Sequence, residues 1–332
     1  MLLLARTDRL PKDTDCMIRL ALTCMLAFAA TSARAVDTAP AVFAPGVISG
    51  PRHDSAPAFA PDGHTVYFSR SDGPHSTILV SREDAGHWST PVTAPFSGQW
   101  SDMEPSMSPD GRLLVFISNR PKTQDGKPLD GYFMGRRFPE GGGNLWMVRH
   151  KGDGWSAPER LPDIVNASDS TFAPSMAADG TLYFMRPADD PKHFRLFRAA
   201  CVNGVYQKPE PLPFSDGTTT DVDPAVAPDQ SFLVFGSSRT PSRQIDLFIV
   251  FRDGERWGTP IHLGNEVNSA GSDAEARLSP DHRTLYFASD RLSDNPSGAA
   301  RADWDNGKYN IWNVSLAPWL DANAGKATAG SH

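Results

Sequence analysis

Carboxylates recur along this chain with a spacing of roughly one cluster per fifty residues. They fall at Asp54, at Asp102 with Glu104, at Asp169, at Asp221 with Asp223, and at Asp273 with Glu275. Arginines recur in step with them, at Arg70, Arg120, Arg186, Arg239 and Arg291. Two chemistries fit this pattern. Each acid can pair with an arginine and fix local geometry, which is what a feature present in every repeat usually does. Alternatively, the charges converge on one mouth and recognise a ligand or cation. If carboxylates converge, Asp102, Glu104, Asp223 and Glu275 are the candidates for acid and base or nucleophile work on a glycosidic bond.

Other motifs are weaker. Asp303-Trp-Asp305-Asn306-Gly307 has alternate carboxylates, as calcium loops do, but lacks the remaining ligand spacing and the terminal Glu. The histidines are scattered, without zinc-ligand spacing. Neither G-x-S-x-G nor a phosphate or dinucleotide loop occurs. The expectation is therefore no cofactor, with calcium as the one open case.

The acids and arginines flank a phrase repeated five times: a short apolar segment, a Pro-Asp turn, and an alternating aliphatic–aromatic segment. Glu104-Pro-Ser-Met-Ser-Pro-Asp110-Gly-Arg-Leu-Leu-Val-Phe116 is one copy. The turn Asp falls at 62, 110, 179, 229 and 281. Pro presets φ, Asp bonds its own backbone and Gly accepts φ > 0, so the phrase reads as a hairpin. A third apolar segment follows in each copy, as in Asn144 to Val148. A Gly-then-aromatic turn and an edge strand carrying Pro91, Pro158, Pro209 or Pro260 come next. Proline suits an edge strand, because it blocks further pairing there.

Four antiparallel strands per repeat make a propeller blade. The fifth repeat stops near Leu316, short of its fourth strand, and Pro40 to Pro45 matches the missing piece. The predicted fold is thus all-β: a single propeller of five four-stranded blades, closed by the N-terminal strand joining the last blade. The antiparallel hairpin puts acids and arginines on one face of the disc. Two insertions, residues 121–143 and 292–307, emerge on that face. The first carries Tyr132, Phe133, Arg136 and Arg137. Long loops in a compact repeat are frequent binding elements.

The phrase [Glu/Asp]-Pro-x-x-Ser-Pro-Asp-Gly-x-x-Leu-x-Phe resembles the TolB-type, WD-like β-propeller repeat of bacterial envelope proteins. The resemblance spans nearly the whole chain beyond its leader. It implies a periplasmic or secreted propeller that binds an envelope protein or peptide. TolB itself joins a small α/β domain to six blades, so its specific docking role does not carry over to five blades without that domain. Five-bladed propellers also include glycosidases, which supplies one alternative reading; a metal-dependent, lactonase-like propeller with ligands converging on the axis is another.

Residues 1–35 read as a signal peptide. Met17 to Arg19 is a short basic start, with Met17 a possible initiator; residues 20–30 are apolar, and Ala33-Arg34-Ala35 is a cleavage site. The propeller is expected over 36–320 and a disordered tail over 321–332. The whole chain carries a formal net charge of −7. The leader holds five basic and three acidic residues, so the remainder carries −9. That balance argues against nucleic acid as a partner, and no later apolar run is long enough to cross a membrane as a helix.

The resulting expectation is a monomeric binding module, not an enzyme, that uses the loop-bearing face for a protein or peptide. A glycan is the alternative partner. The residues of that face are Asp54, Asp102, Glu104, Arg120, Tyr132, Arg136, Arg137, Asp169, Asp221, Asp223, Arg239, Asp273, Glu275 and Arg291.

Overall fold

The computed structural model describes residues 39–329, apart from Gln124, Met134, Arg243 and Pro296. The leader expected over 1–35 lies outside the described residues. Within them the chain forms five antiparallel sheets of four or five strands, each one blade, and two separate two-stranded hairpins.

Blade 2 shows the common plan. Asp102–Met107 is the innermost strand, followed outward by Leu113–Ser118, Asn144–Lys151 and the short Glu159–Arg160. Blade 1 begins with His53–Phe59, blade 3 with Phe172–Met176, blade 4 with Asp221–Val226 and blade 5 with Asp273–Leu278. These five inner strands touch one another in sequence, and the fifth touches the first, so they close a ring. Blade 5 takes its outer strand from the other end of the chain: Ala41–Val42 pairs with Asn310–Ser315, with Val42 opposite Trp312. Phe43 N–H extends the seam, donating to Ile311 C=O at 2.8 Å. Closure leaves no long unpaired edge.

Each second strand alternates because its two faces meet different neighbours. Leu114 and Phe116 pack with blade 1, whereas Val115 and Ile117 face blade 3. The tryptophans of the Gly-then-aromatic turns tie adjacent blades together. Trp155 Nε1–H donates to Tyr67 Oη at 2.9 Å, and its ring meets Tyr67 edge-on. Trp257 meets Tyr183 and Phe214 in the same way.

One local feature repeats in all five inner strands and positions the site. Between Ser55 and Ala58, Met103 and Ser106, Phe172 and Ser175, Val222 and Ala225, and Ala274 and Arg277 the register shifts at a bulge. The bulged residues Ala56, Glu104, Ala173, Asp223 and Glu275 have φ of 47°, 50°, 52°, 54° and 51°. Non-glycine residues rarely adopt this left-handed conformation. Pro57, Pro105, Pro174 and Pro224 follow four of them, where a missing N–H costs no ladder bond. A bulge re-aims the side chain it carries. Here it separates residues two apart that an unbroken strand would leave on one face.

The C-terminal segment differs from expectation. Ala317–Ala329 is a helix, not a disordered tail from residue 321. Alanine-rich sequence favours helix, and Pro318 sits in the first turn, where its lost N–H is tolerated. Trp319 and Leu320 pack on the core shared by blades 4 and 5, and Arg283 reaches Asp321 at 2.9 Å.

Candidate functional site: an acidic cavity at the mouth of the ring

The recurrent acids divide into two sets. Asp54, Asp102, Asp221 and Asp273 are buried completely. Each is held by its own blade's arginine: Arg70 at 2.5 Å, Arg120, Arg239 at 2.7 and 2.8 Å, and Arg291 at 2.6 Å. The same guanidiniums donate to carbonyls of the preceding blade's outer segment, namely Ile48, Phe96, Phe214 and Val267. Arg120, Arg239 and Arg291 also lie over third-strand rings of Trp146, Phe248 and Trp312. These four pairs are clasps that stitch neighbouring blades. Their carboxylates do not line the central cavity, and this removes Asp102 from the set of converging carboxylates.

Blade 3 breaks the pattern. Thr171 stands two residues before the bulge, where the other blades have Asp. Asp169, expected in the same ring, instead reaches Lys122 of the first insertion at 2.5 Å, and both side chains are well exposed.

The second set is the bulge residues. Glu104, Asp223 and Glu275, from blades 2, 4 and 5, line one cavity of about 560 Å³ on the loop-bearing face. Alanines occupy the two remaining equivalent positions, Ala56 and Ala173. Glu275 N–H donates to Asp223 Oδ2 at 2.9 Å, and Glu104 N–H to Ser69 Oγ at 2.7 Å. One oxygen of Glu104 and one of Glu275, both Oε2, are buried without a hydrogen-bond partner. The cavity wall adds Phe133, Met185, Ile245 and Tyr309. Phe133 is fixed there by the first insertion, whose strands Gly131–Phe133 and Arg136–Phe138 form a hairpin. Its ring packs 5.0 Å from Phe194.

Burial governs all three carboxyls, and repulsion adds to it at Glu104 and Glu275. Glu275 is pushed up to about 7, by burial first and then by the Asp223 charge. Burial, then the charges of Asp223 and Glu275, raise Glu104 well above the usual carboxylate range. Asp223 is raised by burial, with the Glu275 N–H and the Arg277 charge opposing. Arg277 is the nearby cation. It is 5% exposed, bonds the carbonyls of Ala276 at 2.7 Å and Pro105 at 3.3 Å, and lines a separate cavity of about 220 Å³ at the turn-bearing end. Three carboxyls against one guanidinium leave an excess of negative charge, or protons held at neutral pH. Such a floor can receive a cationic group or donate hydrogen bonds to a polyol.

The remaining expected residues lie outside the cavity. Tyr132 is 50% exposed on the hairpin, opposite Arg137. Arg136 and Arg137 are exposed, and Arg137 pairs with Asp130. In the second insertion Asp305 accepts from Ser293 N–H at 2.9 Å and is also bonded by Ser293 Oγ and Arg301. Its carboxylate is thus engaged by protein groups. Among the described residues no group of three or more His, Cys, Asp or Glu is placed to hold a metal ion. Met185, Tyr309 and Arg277 were not singled out from the sequence, because each belongs to a strand or strand end whose neighbours look the same.

No protein-family model matches the chain, and no curated protein matches it. Among solved structures, the chain is similar to a putative TolB from Agrobacterium tumefaciens, at 17% identity over 80% of this chain and 91% of that one, with a TM-score of 0.45. A gluconolactonase from Xanthomonas campestris is similar at 14% identity over 84% and 85%, with a TM-score of 0.46. An α-L-arabinofuranosidase from Podospora anserina is similar at 11% identity over 85% and 94%, with a TM-score of 0.44. These likenesses concern the fold.

Proposed function

We propose that this chain is a non-catalytic recognition propeller of the cell envelope or secreted space. Its loop-bearing face takes a cationic group, a Lys or Arg side chain or terminal amine of a peptide or partner protein, into the acidic cavity. The observation that supports this reading is the convergence of Glu104, Asp223 and Glu275 from three blades on one cavity with aromatic walls. The exposed hairpin bearing Tyr132, Arg136 and Arg137 supplies a rim beside it. Fluorescence anisotropy with short lysine-tipped peptides and their acetylated counterparts tests the reading. Saturable binding of the charged peptides alone, lost in Glu104→Gln/Asp223→Asn, supports it. Equal binding of acetylated peptides contradicts it.

A second reading is glycoside hydrolysis. It is favoured by one carboxyl, Glu275, that titrates near neutrality directly beside Asp223. A proton-donating carboxyl with a second carboxyl close by is what such chemistry requires. Incubation with a polysaccharide panel separates the two: reducing ends released by the wild type and not by Asp223→Asn favour hydrolysis, and no release favours recognition.

A further inference from the structure

Arg186 is the one member of the arginine ring without a carboxylate. Its guanidinium lies 4.0 Å from the centre of the Phe197 ring, the third-strand aromatic of blade 3. This is the stacked position that Arg120, Arg239 and Arg291 take over Trp146, Phe248 and Trp312. In those blades, and at Arg70 of blade 1, a buried Asp completes the clasp. In blade 3 the corresponding residue is Thr171, whose Oγ1–H donates to Ser168 C=O at 2.9 Å and carries no charge. The Arg186 guanidinium makes no hydrogen bond or ion pair with any described residue.

A second arginine stands beside it. Arg186 is directly opposite Arg195 across the second and third strands, so both side chains project from the same sheet face. Like charges directly opposite are unfavourable unless an anion is shared between them. Among the described residues the Arg195 guanidinium bonds only the Ser215 carbonyl, through Nε at 2.6 Å. Asp216, which feels the Arg195 charge, is solvent-exposed and bonded to Thr218. Burial draws Arg186 below the usual arginine value, with no acid to oppose the effect. Arg186 is half-buried, not sealed, and adjoins Met185 of the cavity wall.

We propose that Arg186, flanked by Arg195, is a carboxylate-binding site on the loop-bearing face, where a ligand's carboxylate takes the part that Asp plays in the other four blades. The class follows from the repeat. A planar guanidinium on an aromatic ring presents a fork that matches a carboxylate's two oxygens, and the fold itself supplies that pair four times. The ligand is a carboxylate-bearing molecule, such as an acidic side chain or chain terminus of a peptide. The inference rests on the comparison of blades, independently of the acidic cavity.

Acetate is the probe, with sodium chloride at matched ionic strength as the reference and phosphate as a second arm. For the wild type, acetate at ten times its Kd should raise Tm by about 3 °C over chloride, and saturably. Arg186→Gln should lose that rise. Thr171→Asp should supply the clasp internally: its Tm should exceed that of the wild type, and acetate should add nothing further. An acetate rise that persists in Arg186→Gln overturns the assignment. So does protection through Arg186 by phosphate and not by acetate. A Thr171→Asp variant that is destabilised, or that still responds to acetate as the wild type does, overturns the geometry.

Discussion

Glu275 carries the sharpest consequence at the scale of single residues. Its carboxyl is raised on folding to about 7 from an ordinary value near 4.5. The folded state therefore holds a proton more tightly than the unfolded chain between those two values. Stability should be greatest below the unfolded value and fall as pH rises from about 4.5 to about 7. The loss is on the order of 3 kcal/mol. Urea titrations across that window check this, and Glu275→Gln should flatten the slope. The clasps behave differently. Asp221 is fully buried against Arg239. Asp221→Ala leaves the guanidinium without its counter-charge and should cost about 3–5 kcal/mol, read as a lower denaturation midpoint. The two carboxylates of blade 4, Asp221 and Asp223, thus predict opposite outcomes: neutralising the first weakens the fold, whereas Asp223→Asn removes repulsion and spares it.

At the scale of elements, the bulge explains both what the sequence made legible and what it hid. The hairpins were readable because alternation of apolar residues and the Pro-Asp-Gly turn act locally. The closing strand was readable because Pro40 to Pro45 matched the other outer segments. The division between Asp102 and Glu104 was not. Residues two apart share a face in a regular strand, and only the bulge sends one into a clasp and the other into the cavity. A signal was nonetheless present across the repeats. Counted back from the turn Asp, the clasp position is Asp in four blades, whereas the bulge position varies as Ala, Glu, Ala, Asp and Glu. What stays constant serves the repeat, and what varies marks the site. The same count identifies Thr171, not Asp169, as the blade 3 member. The C-terminal helix was hidden for another reason: its anchors, Trp319 and Leu320, have meaning only against the core of blades 4 and 5. The seam itself is testable. Phe43 places its ring 5.7, 5.4 and 5.2 Å from those of Phe59, Trp88 and Tyr286. Phe43→Ala should destabilise the protein by about 3 kcal/mol, with ring opening visible as fast amide exchange along Asn310–Ser315.

At the scale of the whole molecule, the ring concentrates at one mouth what no single blade holds. Three blades contribute one carboxyl each, the first insertion contributes Phe133, and the residue leading into Asn310–Ser315 of blade 5 contributes Tyr309. Burial raises all three carboxyls, and neighbouring charges raise Glu104 and Glu275 further, so occupation by a cation must expel protons. Binding should tighten as pH rises through about 7, where Glu275 gives up its proton, because the cation selects the ionised form. The central claim, that the acidic cavity is a cation-recognition site, is tested most directly by calorimetric titration of a lysine-tipped peptide at pH 6, 7 and 8 in two buffers of different ionisation enthalpy. The account predicts net proton release at pH 6, diminishing by pH 8, with both binding and release absent in Glu104→Gln/Asp223→Asn/Glu275→Gln. Binding of equal strength in that variant, or binding by the wild type with no protons released at pH 6, would contradict it.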